Sequence, residues 1–147
     1  MSRLLPGLNP ENRPFWTGGA NAALQIACCN DCGTFIHPPR PVCHCCLSDD
    51  VAPRTVAGTG VIDTYTVNCH PWFPGQEVPY VIARVSLDGA GGVFLTTNIV
   101  GCEPESVDVG DPVQVVFEQH GEVFLPLFEP VRSGDSSIQD DTGRYLK

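Results

Sequence analysis

Cys29-Asn30-Asp31-Cys32 and Cys43-His44-Cys45-Cys46 form two Cys-x2-Cys pairs with ten residues between them. A two-residue gap lets one tight turn aim both sulfurs of a pair to one side while backbone amides donate to them. Two such turns can therefore present four thiolates to one tetrahedral metal. Gly33, directly after Cys32, suits the first turn because glycine enters the left-handed region at no steric cost. Four protein ligands occupy every position around the ion and leave no opening for a substrate, so the predicted role is structural. Zinc is the expected metal, since a closed four-thiolate site needs no redox partner, although a rubredoxin-like iron centre would use the same ligands. Cys28 and Cys45 adjoin the chosen residues, but either substitution breaks the x2 spacing of its pair.

Elsewhere the chain offers little chemistry. Cys69 and Cys102 stand alone and read as buried, inert thiols. His37, His44, His70 and His120 match neither an H-x3-5-H metal pattern nor a Ser-His-Asp order, and read as solvated or hydrogen-bonded surface residues. Asp49-Asp50 and Asp140-Asp141 lie in polar stretches and receive no acid-base role. Gly89, Gly91 and Gly92 lack the helix and the Lys-Ser/Thr of a phosphate loop.

The elements that must position the cysteines follow from composition. At 147 residues, 42% hydrophobic, the chain suffices for one main domain and a small appended module. The formal charge of −9 is spread along it, with no Lys/Arg cluster to neutralise several phosphates, which argues against nucleic acid. Met1 to Pro10 lacks the pattern of a secretory signal and no apolar run reaches membrane length, so a soluble, cytoplasmic protein with reduced thiols is expected.

Four segments are read. Residues 1–27 are an N-terminal arm with a short helix, whose Phe15 and Trp16 must pack on the main domain or on a partner. Residues 28–53 are the metal module, rich in Cys, Pro, His and Asp and too poor in branched aliphatics to fold without a cross-link. Residues 54–130 carry five β-rich runs punctuated by Gly and Pro: 56–67, 80–87, 93–100, 113–118 and 123–128. In the second run Val81, Ala83, Val85 and Leu87 alternate with Ile82, Arg84 and Ser86, which predicts one buried face. Five strands, the first long and bent near Gly58 and Gly60, favour a small barrel such as the OB-fold over a sandwich. Residues 131–147 form a polar tail that cannot bury enough apolar surface to order itself. The fold class is thus mainly β, with a helical arm, a zinc ribbon and a five-stranded C-terminal barrel.

The order Pro14-Phe15-Trp16, Cys29-x2-Cys32-Gly33, His37-Pro38-Pro39-Arg40, Cys43-x2-Cys46, Gly58-Thr59-Gly60-Val61 and Pro79-Tyr80-Val81 resembles a known family. It continues through Leu95 to Gly101, Val109 to Val113 and Leu125 to Phe128. The family is the acyl-CoA-associated OB-fold group with an N-terminal rubredoxin-like zinc ribbon, domain of unknown function thirty-five. The resemblance implies a helical arm, a ribbon and an OB-fold in an accessory subunit that catalyses nothing itself. Such a subunit binds a thiolase-like or aldolase protein of lipid or steroid side-chain metabolism as a hetero-oligomer and helps enclose an acyl-CoA thioester. Arg40 and Arg84 are the candidate contacts to CoA phosphates, and Phe15 and Trp16 the candidate partner contacts. Cys28 and Cys45 stand where the family pattern has polar residues. Two further readings compete. A single-strand nucleic-acid binder would stack bases on Tyr65, Tyr80 and Phe94, which lack flanking cations. A small electron carrier would follow from iron in place of zinc.

Overall fold

The computed structural model describes residues 3–131, so the polar tail lies, apart from Val131, outside the described residues. The helix α1 (Arg13–Thr17) starts with Pro14 in its first turn, where a missing N–H costs nothing, and runs into a 3-10 turn at Gly18–Asn21. Among the described residues eight strands follow: β1 (Leu24–Cys29), β2 (Phe35–Ile36), β3 (Val51–Val56), β4 (Thr59–Asn68), β5 (Tyr80–Leu87), β6 (Phe94–Ile99), β7 (Pro112–His120) and β8 (Val123–Pro130). They make a three-stranded sheet in the order β2-β1-β3 and a closed five-stranded barrel in the order β4-β5-β6-β8-β7. A mainly β chain with an N-terminal ribbon and a five-stranded barrel is the expected class.

The first barrel run was expected to be continuous from 56 to 67. It is divided instead. Val56 ends β3, paired to Leu24 in the ribbon sheet, and the barrel strand β4 starts at Thr59. Gly58 makes the break with φ +75°, and its carbonyl accepts the Val115 amide at 2.7 Å. Within the arm read over 1–27, the segment 20–26 divides into the end of the 3-10 turn and the start of β1, which belongs to the ribbon sheet.

The alternation read in β5 is obeyed: Val81, Ala83, Val85 and Leu87 are all buried. They join Ile62, Leu95, Ile99, Val113 and Phe128 in the barrel core, with Phe128 fully enclosed. β1 ties the two units together. Leu24 and Ile26 at its start belong to the barrel core, while Cys29 at its end belongs to a small ribbon cluster with Ile36 and Cys43. One short strand thus fixes the metal module against the barrel.

Candidate metal centre and its surroundings

The end of β1 and the loop after β2 each deliver one cysteine pair, by the same local geometry. In the first, the Gly33 amide bonds to the Cys29 carbonyl at 2.9 Å and the Cys29 amide to Thr34 at 2.9 Å. In the second, the Leu47 amide bonds to the Cys43 carbonyl at 3.0 Å and the Cys43 amide to Ser48 at 2.8 Å. The fourth residue after the leading cysteine has positive φ in both, Gly33 at +77° and Leu47 at +63°. The Cys45 amide lies 3.3 Å from Cys43 Sγ, the amide-to-sulfur bond such knuckles require.

The ligand atoms of Cys29, Cys32, Cys43 and Cys46 all lie within 4.8 Å of one another. Cys29 and Cys46 Sγ are 3.5 Å apart, and Cys32 and Cys43 Sγ 3.6 Å. A tetrahedral zinc with bonds of about 2.3 Å sets its sulfurs about 3.8 Å apart, so the cluster has the size of one zinc ion. Cys29 and Cys43 are buried, Cys32 and Cys46 exposed, which anchors each knuckle by its leading residue. Cys28 Sγ instead faces the Gly33 carbonyl at 3.6 Å, and Cys45 is exposed. Zinc bound here would supply a cross-link and offset half the charge of four thiolates, with no vacant coordination position.

The electrostatics match a cation-binding site. Cys32 is pulled down to about 6, first by the Thr34 hydroxyl beside its sulfur at 3.1 Å and then by the Thr34 backbone. Cys46 moves the other way. The Ser48 backbone lowers it, but Cys29, burial, Cys32 and Cys43 outweigh that and push it up to about 12. The Thr34 contacts favour the Cys32 thiolate, while the three neighbouring sulfurs and burial hold the proton on Cys46.

The remaining candidates are dispersed. Phe15 is 5% exposed and lies in the barrel core, its ring edge-on to Trp16 with centroids 4.7 Å apart. Trp16 is half-buried, bridging that core and a second cluster of Val123, Leu125 and Leu127. Arg40 has no ion-pair partner among the described residues and lines a cleft of about 260 Å³ with Pro14, Phe15 and Pro53. Arg84 donates through Nε at 2.7 Å, and through Nη2, to Asp63 and stacks over Phe94 at 4.4 Å. Phe94 therefore does have a cation beside it, from the neighbouring strand rather than from the flanking sequence.

Three sequence expectations are corrected. Cys69 is exposed and Cys102 only partly buried, because both sit in connections just past a strand end rather than on the inward face of a strand. His37 is not a solvated surface histidine: its ring packs on Phe15 at 4.8 Å, and Nδ1 is buried with no hydrogen-bond partner among the described residues. That burial lowers its pKa. Sequence reading also missed a clasp in which Glu118 accepts bonds from Arg3 Nε at 2.6 Å and His120 Nε2 at 2.7 Å, while Arg3 Nη1 reaches Asn98 at 2.9 Å. The separations of 115 and 95 residues explain why no local pattern announces it.

No helix among the described residues is long and apolar enough to cross a membrane.

Comparison with known proteins agrees with this architecture. Residues 16–52 match the family described as "ChsH2, rubredoxin-like zinc ribbon domain", and residues 53–118 that described as "ChsH2, C-terminal OB-fold domain". A "DUF35 domain-containing scaffold protein" of Methanothermobacter thermautotrophicus is 33% identical over 62% of this chain and 68% of its own length. A "Probable enoyl-CoA hydratase alpha subunit" of Thermomonospora curvata is 38% identical over 85% of this chain. A "3-oxo-4,17-pregnadiene-20-carboxyl-CoA hydratase alpha subunit" of Mycobacterium tuberculosis is 30% identical over 85%. The chain spans 39% of the length of each of these two hydratase subunits. Among solved structures, one described as "Ltp2-ChsH2(DUF35) aldolase" contains a chain with 36% identity and a TM-score of 0.77, covering 86% of this chain and 98% of that one. On these matches and the cysteine cluster, the chain belongs to the ChsH2 (DUF35) family of zinc-ribbon and OB-fold proteins.

Proposed function

We propose that this chain is a non-catalytic accessory subunit that binds a thiolase-superfamily enzyme, of thiolase or retro-aldolase type, and helps form its acyl-CoA site. One observation carries the reading: the likeness to nearly the whole of a chain in the aldolase structure, at 36% identity and a TM-score of 0.77. The metal cluster supports it, because four cysteines coordinate fully and leave nothing for substrate. The cysteines then act as scaffold, holding the arm and the barrel in register while the chemistry occurs on the partner. The hydratase subunits are more than twice as long, so their named activity is not carried over to this chain.

Within this reading, Trp16 is the aromatic partner contact, since Phe15 is committed to the core. Arg40 is the better placed of the two arginines for a CoA phosphate, because the charge of Arg84 is already answered by Asp63. The setting is cytoplasmic metabolism of lipid or steroid side chains, where thiols stay reduced for zinc.

The test is affinity purification of the full chain from its native cells, identifying the retained protein and then reconstituting the pair from purified components. A stoichiometric thiolase-like or aldolase partner is expected, with acyl-CoA turnover only in the reconstituted pair. Turnover by the isolated chain, or a monodisperse chain that retains no such enzyme, defeats the reading.

A further inference from the structure

The barrel closes at one place by a single bridge, and the sequence shows why. β6 and β8 meet only at Ile99 and Phe128, where the Val100 amide bonds to the Phe128 carbonyl at 2.8 Å. Two residues back along both strands, the parallel ladder would next need the residue-126 amide to donate to the Thr96 carbonyl. That residue is Pro126, which has no N–H. Its carbonyl is taken by the Thr97 hydroxyl at 2.9 Å. The seam therefore stops zipping, and β6 has no paired strand on that side over residues 94–97.

The free groups of that edge can be identified. The Leu87 amide bonds to the Val93 carbonyl at 3.1 Å, directly opposite in the β5–β6 register. By antiparallel alternation, Leu95, Thr97 and Ile99 bond to β5, while the main-chain groups of Phe94, Thr96 and Asn98 turn toward the seam, where those of Asn98 face β8 at the closing bridge and those of Phe94 and Thr96 have no paired strand opposite. A cleft of about 620 Å³ lies along it, walled by Trp16, His37, Phe94, Thr96, Asn98 and Leu125. In a chain of formal charge −9, the cleft lining contains no carboxylate, and its one arginine, Arg3, is paired with Glu118. Seam-facing main-chain groups with no paired strand, at Phe94 and Thr96, beside an electrically quiet, half-apolar cleft are what an added strand recognises.

We propose that this seam is a strand-addition site that takes an extended, uncharged segment of about five residues from the partner enzyme, bonded to the main chain of Phe94 and Thr96. Its side chains pack on Trp16 and Leu125. The inference rests on the accessory-subunit reading and adds to it where and how the partner is held.

Amide hydrogen exchange decides the matter, comparing the full zinc-loaded chain alone with its complex with the purified partner enzyme. The amides of Phe94 and Thr96 are expected to slow at least tenfold in the complex. A complex that forms without protecting β6 overturns the seam site and leaves the accessory reading standing, whereas absence of any complex removes both. Protection that appears on raising the concentration of the chain alone also overturns it, because the occupant is then a second copy. Among variants, Thr96→Pro deletes one seam-facing amide and is expected to weaken the complex at least tenfold, while Thr96→Val, which keeps it, changes affinity less than twofold. Equal affinities for the two variants, each folded by circular dichroism, would sink the proposal. If Thr96→Pro does not fold, exchange in the unaltered chain and its complex separates the same outcomes.

Discussion

The ribbon and the barrel hold their shapes by different means. The barrel cluster contains fifteen buried residues drawn from the arm, β1, all five barrel strands and the connections that carry Ala90, Val93 and Val107. The ribbon cluster contains three, Cys29, Ile36 and Cys43, and two of those belong to the proposed ligand set. The barrel stands on area removed from water, at about 25 cal/mol per Å². The ribbon has almost no such area, and its loops are closed through sulfur instead. A barrel can therefore lose any one contact and persist, whereas the ribbon depends on one centre.

The sharpest way to break this contrast is Cys43→Ser. Structural zinc sites contribute on the order of 10 kcal/mol, more than a small module can replace. Elemental analysis is expected to show zinc falling from one per chain to none, with proteolysis opening the ribbon between β1 and β3. The β signal of the barrel is retained. Simultaneous collapse of both would mean that β1, shared by the two, makes them one cooperative unit. A purified protein coloured by iron would restore the electron-carrier reading.

The converse substitution is Phe128→Ala. Phe128 is fully enclosed, and truncating such a phenylalanine costs about 3–5 kcal/mol through lost transfer and a residual cavity. Denaturant unfolding is expected to show the barrel destabilised by that amount while zinc stays bound in the folded base line. Zinc loss at low denaturant, before the barrel transition, would show that the ribbon leans on the barrel more than its own cluster suggests.

The two regions also differed in how far sequence alone could describe them. The metal cluster was legible because its information is local: spacing within each pair sets which sulfurs converge, and the structure brings together those four while leaving Cys28 and Cys45 aside. Inward faces of strands were legible for the same reason, since period-two alternation in Val81 to Leu87 is a property of one segment. What stayed hidden depends on segments far apart. The division of the 56–67 run depends on β3 pairing back to β1. The burial of His37 depends on Phe15 being brought over it. The open seam depends on Pro126 meeting β6, though a proline within a strand run does hint at an edge.

A smaller effect separates the two knuckles themselves. Gly33 and Leu47 occupy equivalent left-handed positions, but only the glycine does so without strain. A left-handed residue with a side chain costs about 1–2 kcal/mol. Leu47 is 77% exposed, so little packing is lost by removing it. After the extra chain entropy that glycine gives up, about 0.5–1 kcal/mol, Leu47→Gly is expected to gain about 0.5–1 kcal/mol. Gly33→Ala, with open space around its Cβ and strain as its main cost, is expected to lose about 1 kcal/mol. Chelator competition reads both: zinc retention should rise a few-fold in the first and fall in the second. Opposite signs would mean that the knuckles are not equivalent.

The smallest effect concerns the clasp that ties the start of the arm to the barrel. His120 foremost, and then Arg3, hold the Glu118 carboxyl below its usual range, against an opposing contribution from burial. A depressed carboxyl stabilises the fold fully above the ordinary range near pH ~4.3 and loses that contribution as pH falls through its lowered value. The Glu118 side chain is 41% exposed, so solvent screens the pair and the contribution stays below about 1 kcal/mol. Glu118→Gln should thus be less stable than the parent near pH ~7, with the gap closing toward strong acid. Acid also protonates the zinc thiolates, so the two proteins are compared with each other at every pH, which cancels that loss. Tryptophan fluorescence, to which Trp16 in the arm contributes, follows the transition. A gap that widens in acid would mean that Glu118 burdens the fold as an anion and that the clasp is held by Arg3 and Asn98 alone.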